Sequence, residues 1–565
     1  MNAREEIQAK LTAYRSRLKQ SFGHPEHRAA LLQLLRCVDL ETVAAISRFY
    51  AGLDPNSSPN TGEIKRLFNW GFNEAFSMFW GEHVHQPGVP LFQTNKQEQD
   101  WGDAMLQCCG RIRLIEHALE LDRIQLAKIS RTSDEVFECV FNASASGVES
   151  LEKQDLEIFN VLLGRHYEKE RSWEKLDEKR PAIAKKMREM VRPWEKHYIC
   201  YDADPEIDDF YHEYSMLVAR TRLGFDNFPL QSMFGGLPFS KYTECVRVLM
   251  SFALKHMDFC LLLCSKHPEI NPIDVISVPS KWEDTVRYMS YALGVSEDEA
   301  EKLLLPTVLS SENAQHHLQV PSGPFACQYM IGKGSAVKSI TGCLDNPFQF
   351  MLRELRRRYP SDWDKSVDYR EDIFRRDLFD LFSSFNRVAV FTDNINIKSS
   401  AGKTDIDALA IDLVSKTVGI FQLKWQDMYG HSMRERESRK VNFLKTGNAW
   451  VEKVCRWLDE GKMAETLISL GVPKAEATQM KKTRLFVLGR SFSHFSGDCA
   501  MDARAAWGTW QQILRLLETK AAGESPITIL HDQLILDSPH KRVQKPNDRE
   551  EVKIPGMTLI SHFGT

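Results

Sequence analysis

"TDIDALAIDLVSKTVGIFQLKWQ", residues 404–426, is the stretch whose reading sets the fold: two apolar, β-branched runs around a short polar turn, the pattern of a buried β-hairpin. Asp405 and Asp407 stand on the first run, Gln422 and Lys424 on the second. Side chains alternate along a strand, so each pair shares a face, with Leu423 on the other. A turn centred between Val414 and Ser415 sets Asp407 opposite Gln422 and Asp405 opposite Lys424, which gathers all four in one patch. A slip of one residue would set Leu423 opposite Asp407 and scatter them. Charge on a strand bound for a core is costly unless it is paired or binds something, and a metal ion is the usual reason for clustered carboxylates.

The surroundings alternate helices and short strands. Helices "FQFMLRELRRRY" and "REDIFRRDLFDLFSSF" and strand "RVAVFTD" precede the hairpin. Helices within "ESRKVNFLKTGNAWVEKVCRWLDEG", strand "RLFVLGR", helix "WGTWQQILRLLETK" and strand "ITILHD" follow it. That order predicts an α/β domain over residues 345–540, with a mixed sheet flanked by helices. In the second helix Glu371, Phe374, Leu378, Leu381 and Phe385 recur at three-to-four spacing. Glu371 is the acidic misfit on that stripe, placed where a helix start tolerates it.

The whole chain has 565 residues, 43% hydrophobic and 27% charged, which allows several packed domains and excludes wholesale disorder. Residues 1–300 read as helix after helix, residues 301–344 as a Ser-, Pro- and Gln-rich connector, and 541–565 as a tail, so the expected class is α+β multidomain with an all-α N-terminal region. That region is expected to recognise a target or a protein partner, a second copy included. The charged start "MNAREEIQAKL" and the short apolar runs predict a soluble, cytoplasmic chain. Its 12 cysteines form no CxxC pair, so reduced, buried thiols are expected.

The order of a helix acid, "TDIDALAID", a turn and "VGIFQLKW" resembles the PD-(D/E)XK nuclease superfamily, the restriction-endonuclease-like fold, in its Mrr-like Gln-x-Lys variant. The motif portion covers residues 371–424. The resemblance implies Asp407 as the central metal ligand, Gln422 as the second site, Lys424 as the catalytic lysine, Glu371 as the helix acid and Asp405 as an extra acid. Gln422 departs from the commoner Asp or Glu and brings no charge. The family chemistry would be Mg²⁺-dependent hydrolysis of phosphodiester bonds, with Mn²⁺ substituting and DNA as the substrate, in the setting of restriction or antiphage defence.

Net charge is -4, yet residues 351–450 carry 18 Lys and Arg against 15 Asp and Glu. Arg353, Arg356, Arg357 and Arg358 form one cluster, and Arg434, Arg436, Arg439 and Lys440 another. Each is a candidate phosphate contact, with a solvated helix face as the plainer reading. Two rivals stand beside the nuclease: a nuclease fold that has lost catalysis and serves as a nucleic-acid-binding or scaffold module, and a helical interaction protein whose α/β part is structural.

Overall fold

The computed structural model describes residues 2–563 except 25, 51–58, 90, 142–154, 156–170, 196, 223, 322, 428–431, 496–499, 515–523 and 538–547. Its C-terminal module runs through helices α1 (Pro347–Arg358) and α2 (Arg370–Ser383), then strands β1 (Val388–Phe391), β2 (Ile395–Ser399), β3 (Gly402–Ile406), β4 (Ala408–Asp412) and β5 (Thr417–Lys424). Helix α3 (Met433–Asp459), strands β6 (Lys482–Gly489) and β7 (Ala505–Thr509) and helix α4 (Pro526–Asp537) complete it. A five-stranded sheet takes the order β1-β4-β5-β6-β7, while β2 and β3 pair apart from it. The strands β1, β4 and β5 are antiparallel neighbours and β5, β6 and β7 run parallel, so the sheet is mixed.

The hairpin register has the expected parity. Ala408 pairs with Phe421 and Asp412 with Thr417, and the Asp407 N–H donates to the Phe421 carbonyl at 3.1 Å. Alternation then divides the core. Leu409, Ile411, Val418 and Ile420 pack against Phe443, Trp450 and Val454 of α3. Ala408, Ala410, Phe421 and Leu423 pack on the other face against Phe374 and Leu378 of α2.

Several expectations give way to tertiary packing. "ITILHD" lies in helix α4, where Ile527, Leu530 and Leu534 are buried against the sheet. Burying each such side chain stabilises by about 1.5–3 kcal/mol, which outweighs the fraction of a kcal/mol that β-branched residues cost a helix. The N-terminal region is mainly helical but not all-α: strands Ala127–Arg131 and Val136–Phe141 form a sheet with Asp548–Ile554 and Met557–Phe563. The expected C-terminal tail therefore includes a hairpin whose Val552 and Leu559 share a core with Phe137. The expected connector supplies strands Val308–Leu309, Gln328–Gly332 and Ser335–Lys338 to a second four-stranded sheet. Its polar run is structured because Asn313 bonds the Val308 carbonyl and Ser310 N–H, both at 2.8 Å, and His317 meets Glu354 at 2.8 Å. Helix Phe239–Lys266 is long and apolar enough to cross a membrane, but 61% of that apolar window is buried inside the protein.

Candidate active site

Asp407 sits between β3 and β4, where the chain leaves one ladder for the other. Its side chain is fully buried, and both of its hydrogen bonds fall on Oδ2: one from the Leu423 N–H at 2.6 Å, the other from Gln422 Nε2. Oδ1 is buried without a hydrogen-bond partner, and the nearest cation is the Arg375 guanidinium at 3.8 Å. Burial pushes the Asp407 carboxyl up to about 6; the Leu423 N–H and Lys424 oppose the rise, and Glu371 and Asp405 add to it.

Asp412, at the far end of β4, shows what a structural aspartate looks like here. It too is fully buried, but Arg387 meets it at 2.9 Å and it accepts from the N–H groups of Val414 at 3.0 Å and Ser415 at 3.2 Å. Burial opposes its ionisation, yet Arg387 and Ser415 hold it below the usual carboxylate range. Asp412 closes the turn and is satisfied. Asp407 has one oxygen without a hydrogen-bond partner.

Lys424 ends β5 with its Nζ 3.4 Å from Glu371 Oε1, and both side chains are about a third exposed, at 29% and 32%. Parallel pairing sets Lys424 beside Gly489, where a Cβ would lie 1.7 Å from the Phe492 carbonyl oxygen, so only glycine lets the chain turn back at this point. The Arg490 N–H donates to the Lys424 carbonyl at 2.9 Å and fixes the strand end. Asp405 departs from expectation: it pairs with Asn396 across the β2–β3 ladder, not with Lys424, because the strand breaks at Asp407. Its carbonyl accepts from Trp450 Nε1 at 2.7 Å, and its charge still acts on Asp407.

Among the described residues no three His, Cys, Asp or Glu side chains are grouped to hold a metal. The donor set is instead Asp407 Oδ1 and the neighbouring Gln422 amide, with Glu371 held by Lys424 and, at 3.8 Å, by Arg375. A buried carboxylate oxygen lacking a partner fits a hard cation, so these residues are compatible with Mg²⁺.

Of the basic candidates, Arg436 is fully buried and pairs with Glu437 at 2.5 Å, which removes it as a phosphate contact. The three-to-four spacing of α3 turns it inward with Met433 and Phe443. Arg434 is exposed, Arg439 faces Asp427 at 3.4 Å, and Lys440 faces Glu437 at 3.8 Å. Arg375, which the sequence reading did not single out, lines an open cleft of about 530 Å³ with Arg376, Phe379 and Asn394. Its signal was present in the sequence: it lies one helical turn after Glu371.

Comparison with family models, with curated proteins and with solved structures finds no match.

Proposed function

We propose that the C-terminal module is a metal-dependent endonuclease acting on phosphodiester bonds in DNA, with Asp407, Gln422, Lys424 and Glu371 as its site. One observation carries the reading: a fully buried aspartate whose Oδ1 has no hydrogen-bond partner, in a patch with a lysine and a second acid. When bound there, a divalent cation supplies a Lewis acid that activates water and stabilises the leaving oxygen. The Leu423 N–H and Gln422 hold Asp407 by Oδ2, so that Oδ1 is presented as the ligand. Lys424, part exposed, orients the attacking water and offsets charge that develops on the phosphate. The N-terminal body is proposed to recognise a target or partner in the cytoplasm. Plasmid DNA incubated with the purified protein should be nicked with Mg²⁺ or Mn²⁺ and left intact with EDTA; cutting at full rate in chelator would sink the reading.

A second reading, a nuclease fold without catalysis, draws on Glu371 being engaged by Lys424 and Arg375 and on the neutral side chain at 422. Gln422→Glu separates the two. The added charge should lower the half-saturating Mg²⁺ concentration at least about tenfold if position 422 meets the ion. An active wild type with that shift favours the first reading, and an inert wild type whose variant cuts favours the second. Identical titration curves would mean that the side chain at 422 does not meet the ion.

A further inference from the structure

The four arginines of "LRELRRRYP" divide into two pairs. Arg357 and Arg358 are bound to Glu354 at 2.7 and 3.1 Å and to Glu312 at 3.0 and 2.9 Å. Arg353, half-buried, and Arg356, exposed, have no hydrogen bond or ion pair among the described residues. Both line a cleft of about 100 Å³ between α1 and α3, together with Arg439 and Gln426. Asp427 and Glu435 bring negative charge to the same cleft, but Asp427 is already met by the buried Arg370 at 2.5 Å. The balance is positive.

Asn227 also lines this cleft and is more than nine-tenths buried. Its Oδ1 accepts from Trp425 Nε1 at 3.2 Å, while its Nδ2 is buried with no partner. A buried donor left unmade costs about 1–3 kcal/mol. Gly224 at φ 93° keeps the wall open, since a Cβ there would lie 2.8 Å from Leu352 Cδ1. Gln426 and Asp427, which line the cleft, follow two and three residues after Lys424, the last residue of β5.

We infer that this cleft is a subsite for a backbone phosphate of the bound nucleic-acid strand, held by Arg353 and Arg356, with Asn227 in its wall. The inference rests on the nuclease reading for its ligand, and its test is separate. Binding of a short fluorescent DNA duplex is measured in Ca²⁺ across a salt series for wild type, Arg353→Gln/Arg356→Gln, Arg356→Glu alone and, as a control that does not line the cleft, Arg287→Gln. Melting curves check the fold, and the exposed Arg356 keeps the test valid if the double variant fails to fold.

Both cleft variants should bind at least about tenfold more weakly, and the slope of log K against log salt should fall by about 0.9 for each phosphate that the protein no longer neutralises. The control should match wild type. Unchanged affinity and slope in the cleft variants, or a wild type that does not bind DNA, overturns the subsite. Inorganic phosphate and ATP are titrated in parallel: tight binding of either that the cleft variants lose, with DNA binding intact, assigns the cleft to a free ligand and overturns the strand phosphate. A wild type that binds with the expected slope but never cleaves supports the subsite while the nuclease reading fails.

Discussion

Asp407→Asn is expected to abolish cleavage and yet to raise the stability of the metal-free protein at pH 7.5. The wild-type carboxyl has its pKa raised from 3.8 to about 6 by burial. A raised folded pKa means that the native state holds the proton more tightly than the unfolded chain does. Stability from this group is therefore greatest below about pH 4, falls as pH rises towards 6, and stays low above that; the loss is about 2–3 kcal/mol in all. Asparagine keeps an acceptor for the Leu423 N–H and removes the charge. Its melting temperature should exceed that of wild type at pH 7.5, and the gap should close near pH 4. Saturating Mg²⁺ should stabilise wild type only. Cleavage should fall at least about 10³-fold, and wild-type cleavage at limiting metal should weaken below about pH 6 as the ligand protonates. A variant that cuts at the wild-type rate, or that melts lower at pH 7.5 without metal, would remove Asp407 from its role.

Lys424→Met should cost about 10²–10³-fold in single-turnover cleavage with little effect on folding or binding. Its Nζ is 3.4 Å from Glu371 and the pair is part exposed, so losing the ion pair costs at most about 1 kcal/mol. Methionine retains the apolar stem. Glu371, released from the lysine, remains near Arg375 at 3.8 Å, so metal affinity should not drop. Unchanged melting and unchanged DNA affinity in Ca²⁺, with lost turnover, is the expected pattern. Full turnover would show that the lysine plays no part in the chemistry.

The hairpin, its turn and the pairing of Asp407 with Gln422 were legible in residues 404–426, because a period of two and a short loop leave few registers that bury the apolar set. The inward stripe of α2 was legible for the same local reason, and Phe374, Leu378 and Leu381 are buried as it required. The break at Asp407, which turns Asp405 to a different partner, leaves no mark in the alternation.

What the sequence by itself determined is thus the local geometry: which residues share a strand face, which share a helix stripe, and that an acid and an amide meet across the hairpin. What only the tertiary structure decided is the state of each charge. Asp407 and Asp412 flank the same four residues and are equally buried, yet Arg387 meets Asp412 at 2.9 Å while Arg375 stays 3.8 Å from Asp407. Arg436 is buried while Arg434, two residues earlier, is exposed, and Arg353 and Arg356 face a cleft while Arg357 and Arg358 are bound to carboxylates. Partners such as Glu312 and Asn227 are distant in sequence, and the energy of a charge depends on what surrounds it in space, which periodicity along the chain does not encode.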